Sequence, residues 1–131
     1  MYIIELLKIA SAGGASDLHL TEGMPPVFRV DGQINPLEDA EPFTRARIKE
    51  LLYGLLSPAQ IERFESEMEL DISLQLPDSN RVRVNIHKQK GAVEAAFRII
   101  PYSVKSIEDL GLPKIVRELA RKPDGLVLVT G

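Results

Sequence analysis

The chain has 131 residues, of which 44% are hydrophobic and 27% are charged, with 16 Lys and Arg against 19 Asp and Glu. This length fits one domain or two small ones, and the composition is that of a folded protein. A net charge of −3 argues against a strongly basic nucleic-acid binder. The lack of cysteine excludes disulfides, thiolate metal sites and cysteine nucleophiles. The sequence has no apolar run near the roughly 20 residues of a membrane span, and no signal-peptide pattern.

The N-terminal part predicts a helix and then short strands. Residues 3–12 have apolar side chains at helical spacing, and Gly13-Gly14 supplies the flexible backbone that ends a helix. Residues 16–21 alternate between polar and apolar side chains, which predicts a strand. Residues 27–30 predict a second strand, and Asp31-Gly32 is a hairpin signal before a short return strand.

Two helices follow. Thr44 is a candidate cap for the first, whose apolar positions have helical spacing: Ile48, Leu51, Leu52, Leu55 and Leu56. Ser57 is a candidate cap for the second, with Pro58 in the first turn and Gln60 able to complete a capping box. Three alternating segments, 70–76, 81–87 and 93–99, then predict an antiparallel meander with one buried face.

The last two strands of this meander carry three arginines. A tight hairpin with Gln89-Lys90 at its tip predicts these opposite pairs: Val82–Phe97, Val84–Ala95, Ile86–Val93 and Arg81–Arg98. This register places Arg81, Arg83 and Arg98 on the outer face, where guanidinium groups suit a phosphate. The alternative is a solvated face neutralised by acids elsewhere, because exposed ion pairs contribute little.

Asp17 and His19 share one face of the first predicted strand. They could form an acid–base pair or supply two ligands to a metal. With only two histidines, no cysteine and no third ligand at a diagnostic spacing, a structural role is favoured, with His19 bonded to a neighbouring carboxylate or carbonyl. No metal site is therefore expected. A small hydrolase that uses these two residues is disfavoured because no nucleophile constellation accompanies them.

The C-terminal part predicts a connector, two short helical segments and an apolar run. A helical turn from Ser106 ends at Gly111, and Pro113 opens a helix whose inner side chains are expected to be Ile115, Val116 and Leu119. Residues 126–129 are continuously apolar, as in a strand buried on both faces. Gly131 fits the first glycine of a phosphate-binding loop, which follows such a strand. The alternative is a core strand of the same domain.

Five segments form a pattern: Ala15–Leu20, Phe28–Gly32, Arg81–Asn85, Ala96–Pro101 and Gly125–Gly131. In order and spacing they resemble the type IV pilus retraction ATPases of the secretion-ATPase superfamily. The resemblance implies an α+β, PAS-like N-terminal domain over residues 1–100, with a mostly antiparallel sheet packed by helices. It implies a linker with short helices over 101–123 and the truncated first strand of a RecA-like ATPase domain over 124–131.

The resemblance also implies a role. Arg83 and Arg98 carry over as arginine fingers that contact nucleotide phosphates, Arg81 is a further candidate, and Asp17 and His19 carry over as structural or inter-subunit positions. The partners would be the protein's own ATPase domain and the neighbouring subunits of a cytoplasmic homohexamer, together with pilus machinery at the inner membrane. Neither nucleic-acid binding nor membrane insertion is expected.

The Walker A lysine, Walker B and the catalytic glutamate are missing from this sequence, so the chain alone is expected not to hydrolyse ATP. ATP and Mg would belong to the full-length parent, with no cofactor in this part. The direct start at a helix favours the retraction branch, and the exposed apolar tail suggests self-association. The alternatives are a stand-alone PAS-like sensor or interaction domain, and a related pilus extension or type II secretion ATPase.

Overall fold

The computed structural model describes residues 2–131, in which it contains four helices and six strands. The helices are α1 (Ile3–Ala12), α2 (Arg45–Tyr53), α3 (Pro58–Glu67) and α4 (Ile115–Ala120). The strands are β1 (Asp17–Leu20), β2 (Val27–Val30), β3 (Gln33–Pro36), β4 (Glu69–Gln75), β5 (Arg81–Gln89) and β6 (Ala92–Ile100). The α+β class and the predicted order of elements up to residue 100 are confirmed.

All six strands form one antiparallel sheet in the order β3-β2-β1-β6-β5-β4. The two predicted hairpin units, β1 to β3 and β4 to β6, are therefore joined through β1 and β6. Leu18 lies opposite Phe97 across this junction, although the two residues are far apart in the sequence. The short strand β1 thus becomes a central strand, with its backbone paired on both sides.

The helices α1, α2 and α3 pack on one face of the sheet, where α1 contacts β1, α2 contacts β6 and α3 contacts β4. Leu7, Leu52 and Phe64 from these helices are fully buried in one hydrophobic cluster with Leu18 and Phe97 of the sheet. The predicted caps are confirmed, since Thr44 accepts from the Arg47 amide, and Ser57 and Gln60 form the capping box. The opposite face of the sheet, called the outer face below, carries mainly polar side chains.

The register between β5 and β6 differs by two residues from the predicted one. Lys90 and Gly91 are the turn residues, with φ of 49° and 81°, so that Gln89 pairs with Ala92. A two-residue hairpin with positive φ at both positions matches the twist of the strands, which explains why the turn forms at the glycine. Because the shift is even, every side chain keeps its predicted face. The pairs are Val82–Ile99, Val84–Phe97 and Ile86–Ala95, and Arg83 rather than Arg81 lies opposite Arg98.

The C-terminal segment corrects two predictions. The turn after Ser106 and the helix α4 are present, but Ile115 and Leu119 are 52% and 38% exposed rather than inside. Residues 126–129 form no strand in the structure, and their side chains are exposed. An apolar run needs a neighbouring strand to complete its hydrogen bonds, and the part of the chain described here offers none to this run. Within residues 2–131, no helix is long and apolar enough to cross a membrane.

Candidate functional site on the outer face of the sheet

Four charged side chains lie side by side across the outer face. Asp17 of β1 is the register partner of Arg29 on β2 and of Arg98 on β6, and Arg98 in turn faces Arg83 on β5. This line of four, Arg29–Asp17–Arg98–Arg83, is called the arginine row below. Alternation along each strand directs all four side chains away from the helices, and the pairing of β1 with β6 brings them together.

Asp17 is the buried anchor of the arginine row. It is only 7% exposed, the Nε–H of Arg98 donates to its Oδ1 at 3.0 Å, and the hydroxyl of Ser16 donates to its Oδ2 at 2.8 Å. Arg29 Nε lies 3.6 Å from Oδ2. Burial acts to raise the pKa of Asp17, but the hydrogen bonds from Ser16 and Arg98 and the nearby positive charge outweigh it, so the pKa is lowered. Asp17 is therefore a buried carboxylate that orients the guanidinium of Arg98.

Arg98 and Arg83, which lie next to each other in the row, differ in their contacts. Arg98 is bound to Asp17 through Nε alone, and its side chain is 71% exposed, so its two terminal nitrogens point to the solvent side of the sheet. Arg83 is exposed and makes no ion pair with any residue in 2–131. Like charges on directly opposite positions cost stability, typically some tenths of a kcal/mol. Asp17 offsets this cost for Arg98 through a direct ion pair, whereas no acid within residues 2–131 forms an ion pair with Arg83.

A shallow depression of about 230 Å³ lies beside the arginine row. Ala96 forms its floor, because this small residue lies between His19 on β1 and Asn85 on β5. The lining is completed by Asp17, Asp71, Arg83 and Arg98. Of the three arginines predicted to lie together, Arg83 and Arg98 are neighbours here, Arg81 is not, and the structure adds a concave surface beside the pair.

His19 does not have the bonded role predicted for it. Its Nε2 is buried and has no hydrogen-bond partner among residues 2–131. Asp17, the acid on the same strand, accepts from Arg98 and Ser16 and makes no hydrogen bond to that nitrogen. Buried polar atoms without a partner are uncommon and call for an explanation, such as a water or a ligand.

The other end of the outer face is acidic and internally paired. The amide of Asn85 donates to Glu69 at 3.0 Å and to Asp71 at 3.3 Å. His87 Nδ1 lies 3.1 Å from the side-chain oxygen of Asn85, and its Nε2 lies 3.6 Å from Glu94. The acids near the hairpin are therefore bonded to this network and not to the arginine row. Among the described residues, no group of three or more His, Asp or Glu is arranged to hold a metal ion.

The remaining predicted site residues lie elsewhere. Arg81 pairs with Ile100 and Gln75, and lines a different surface depression together with Ser79 and Tyr102. Gly131 is exposed and does not line the depression beside the arginine row. Sequence reasoning missed Arg29, although its alternation in Val27–Val30 places it on the same face. It also missed Asp71, although the alternation of polar and apolar residues along β4 places its side chain on the same face.

No family model matches the chain. The type IV pilus retraction ATPase PilT of Pseudomonas aeruginosa is 39% identical over the whole chain, which covers 38% of that protein. The type IV pilus ATPase PilU of the same organism is 29% identical over 97% of the chain, which covers 33% of that protein. A crystal structure of the pilus retraction motor PilT with bound ADP superposes with a TM-score of 0.77 at 35% identity, over 93% of this chain and 36% of that one.

The chain thus spans less than two-fifths of the length of the relatives it matches. The match nevertheless extends from its first strands to its last segment, and the fold agrees with the sequence similarity. The chain is therefore similar in sequence and fold to PilT-type ATPases and resembles the N-terminal domain of PilT.

Proposed function

We propose that this chain is the N-terminal part of a hexameric motor ATPase that powers type IV pilus retraction and twitching motility. In this proposal the outer face packs on the ATPase domain of a neighbouring subunit, and Arg83 and Arg98 contact the phosphates of its nucleotide. The motor would act in the cytoplasm at the inner membrane, with the pilus machinery as its partner. One relative is named a type IV pilus retraction ATPase, and the pilus retraction motor PilT was solved with bound ADP, which supports a nucleotide-dependent role.

The observation that carries the proposal is the exposed pair Arg83 and Arg98. The two guanidinium groups lie on opposite positions of adjacent strands, and within residues 2–131 the carboxylate of Asp17 is bonded to Arg98 but not to Arg83. Arginine binds phosphate oxygens through a planar fork of donors, and a second cation nearby strengthens this attraction. In phosphoryl transfer, such a cation stabilises the charge that develops on the transferred group.

Asp17 supports this role by positioning Arg98. Because Asp17 takes the Nε–H of Arg98, the guanidinium is held near the sheet while its terminal nitrogens stay available. A donor that is oriented before the ligand arrives loses less entropy when it binds. Asp17 is thus a positioning residue, and Arg83 and Arg98 are the candidates for direct phosphate contact.

The surroundings of the pair also explain why a neighbouring subunit is needed. Asp17 and Asp71 line the same depression as the two arginines, so its formal charge is close to neutral. A free nucleotide would gain little from such a surface, whereas a phosphate held by another domain arrives already oriented. We therefore expect weak or no ATP binding, and no hydrolysis, by this chain alone. A micromolar dissociation constant for ATP measured by calorimetry on this chain would contradict this expectation.

The proposal includes the domain plan implied by the resemblance. Residues 1–100 would form the PAS-like domain and residues 101–123 a linker. Residues 124–131 would be the first strand of a RecA-like domain that binds ATP and Mg. The first check is the native reading frame beyond Gly131, where the proposal requires Lys and then Ser or Thr at the P-loop spacing. A stop codon there would remove the motor role, and a search for a protein or small-molecule partner would replace it.

The decisive test measures steady-state ATPase activity of the full-length protein. We expect Arg83→Ala to lower kcat by about tenfold or more, because loss of a donor to the developing charge has an effect of this size or larger. Arg63→Ala is the matched control, since Arg63 is also an exposed arginine but pairs only with Glu67 on α3. Unchanged activity of Arg83→Ala, with the oligomer intact, would contradict the proposal. Arg83 is preferred to Arg98 for this test because, unlike Arg98, it forms no ion pair within residues 2–131 that the substitution would remove.

A further inference from the structure

We propose that Asn80 is a positioning residue that sets the direction in which the C-terminal segment leaves the sheet. Its side chain joins the end of α1, the turn between β4 and β5, and the connector that follows β6. The four residues that meet there, Ser11, Asp78, Asn80 and Tyr102, are called the Asn80 junction below. The consequence for activity rests on the proposed function, in which the connector leads to the ATPase domain.

All hydrogen-bonding groups of the Asn80 side chain are in use. Its Oδ1 accepts from the backbone N–H of Tyr102 at 2.9 Å. Its Nδ2 donates to Ser11 Oγ and to Asp78 Oδ2, each at 3.0 Å. The hydroxyl of Ser11 donates to the same Asp78 oxygen at 3.3 Å. Because Ser11 and Asp78 take both amide hydrogens, the amide oxygen is left directed at Tyr102.

The backbone of Asn80 is held as firmly as its side chain. The N–H of Leu76 donates to the Asn80 carbonyl oxygen at 2.8 Å, which closes the turn between β4 and β5. The N–H of Asn80 donates to Asp78 Oδ1 at 3.1 Å. The acceptor for Tyr102 is therefore in place whether or not the connector is bound to it, and a group oriented in advance loses less entropy on pairing.

The C-terminal segment depends on this one hydrogen bond. Among the described residues, no other hydrogen bond and no ion pair joins residues 102–131 to residues 2–100. Tyr102 and Val104 are 77% and 92% exposed, so side-chain packing adds little. Pro101 has no N–H, so Tyr102 supplies the first backbone donor after β6. A single neutral hydrogen bond favours the held form by roughly two- to tenfold.

The Asn80 junction is next to the arginine row in the chain. Asn80 immediately precedes β5, in which Arg83 is the third residue. The strand β6 carries Arg98 and ends at Ile100, two residues before Tyr102. The junction therefore fixes the exit of the connector relative to both candidates for phosphate contact. A domain that follows the connector thus starts from a defined point beside the arginine row.

The first measurement is the hydrogen-exchange rate of the Tyr102 amide in this chain, followed by NMR. We expect Asn80→Ala to raise this rate by about two- to tenfold, because it removes the acceptor. Ser11→Ala keeps the acceptor but removes one of its supports, and it should give a smaller rise. Asn35→Ala is the matched control, since the Asn35 side chain donates only to the Gln33 carbonyl oxygen. An unchanged Tyr102 rate in Asn80→Ala would overturn the junction.

The second measurement is ATPase kcat of the full-length protein, at a temperature where every variant is folded. Asn80→Ala and Tyr102→Pro remove the same hydrogen bond from its two ends, and we expect each to lower kcat by up to about tenfold as the competent fraction falls. Val104→Pro is the control, because it places proline at another exposed connector residue whose N–H makes no hydrogen bond within residues 2–131. It should retain activity.

A double variant distinguishes this role from a general loss of stability. Asn80→Ala combined with Tyr102→Pro should lower kcat no further than either change alone, because both act on one bond, whereas independent effects would add. Additive losses would overturn the positioning role. Equal losses of kcat in Tyr102→Pro and Val104→Pro would assign the effect to stiffness of the connector and overturn the role of Asn80.

The outcomes separate this inference from the proposed function. If Arg83→Ala lowers kcat but neither Asn80→Ala nor Tyr102→Pro does, the positioning role is wrong and the proposed function is retained. If Asn80→Ala and Tyr102→Pro lower kcat but Arg83→Ala does not, the phosphate contact is wrong and the Asn80 junction is retained. If none of the three variants changes kcat, both proposals are wrong.

Discussion

Asp17 and Arg98 are direct register partners on the adjacent strands β1 and β6, and the Nε–H of Arg98 donates to the carboxylate at 3.0 Å. The pair joins the two halves of the sheet, since β1 belongs to the N-terminal hairpin unit and β6 to the C-terminal one. It combines a buried acid with an exposed arginine. The same contact therefore stabilises the sheet and orients Arg98, a candidate for contact with a phosphate.

The first prediction concerns the stability of this junction. Asp17→Asn removes a charged acceptor of two hydrogen bonds, and we expect the free energy of unfolding to fall by about 1–3 kcal/mol. Urea denaturation at pH 7 measures the change. Glu67→Gln is the control, because the exposed pair of Glu67 with Arg63 on α3 contributes little. Equal stability of the two variants would show that Asp17 does not anchor the sheet.

The second prediction is the pH dependence of the same contribution. Hydrogen bonds from Ser16 and Arg98 and the nearby positive charge hold the pKa of Asp17 below its ordinary value in the folded chain, so its ionised form is stabilised by folding. This contribution is complete above the unfolded pKa of about 3.9 and is lost as the pH falls through the folded pKa. The difference in unfolding free energy between wild type and Asp17→Asn should therefore be constant from pH 7 to about pH 5 and shrink below about pH 4. A difference that stays constant down to the acid transition would argue against the lowered pKa.

Local pattern was enough to predict the elements of the first hundred residues. The helix over residues 3–12, the caps at Thr44 and Ser57, and the hairpin at Asp31-Gly32 depend on neighbours in sequence, and all are confirmed. The side-chain faces of β5 and β6 were also correct, because polar and apolar residues alternate there. These features can be predicted without knowing which strands pair with each other in the sheet.

The partners across the sheet could not be predicted in the same way. The pairing of β1 with β6 joins residues about eighty positions apart, and no local signal specifies it, so the contact between Asp17 and Arg98 was not foreseen. The β5–β6 register was wrong because the positive φ of Lys90 is unusual for a residue with a Cβ. Continuous hydrophobicity also predicted a strand over residues 126–129, and the structure has none there.

The third prediction concerns the turn that sets this register. Gly91 has a φ of 81°, in the left-handed region that costs other residues about 1–2 kcal/mol, so Gly91→Ala should destabilise the chain by about 1 kcal/mol. Gly54→Ala is the matched control, because Gly54 has a φ of −65° and room for a Cβ at ordinary contact distance. Thermal unfolding of both variants measures the contrast. Equal melting temperatures would mean that the hairpin does not depend on Gly91, and the register would need another cause.

The fourth prediction concerns the exposed apolar surface at the C-terminal end. Leu126, Leu128 and Val129 are 81%, 75% and 95% exposed, and the run passes beside Val116 and Leu119 on α4. Contiguous exposed apolar surface of this kind marks an interaction site. We therefore expect the chain to self-associate as its concentration rises, which increases the weight-average sedimentation coefficient. Leu128→Glu should suppress this increase.

The control is Val104→Glu, which introduces the same charge at a 92% exposed apolar residue of the connector and should leave the association unchanged. If removal of residues 126–131 leaves the sedimentation coefficient unchanged at every concentration, the association does not involve this run.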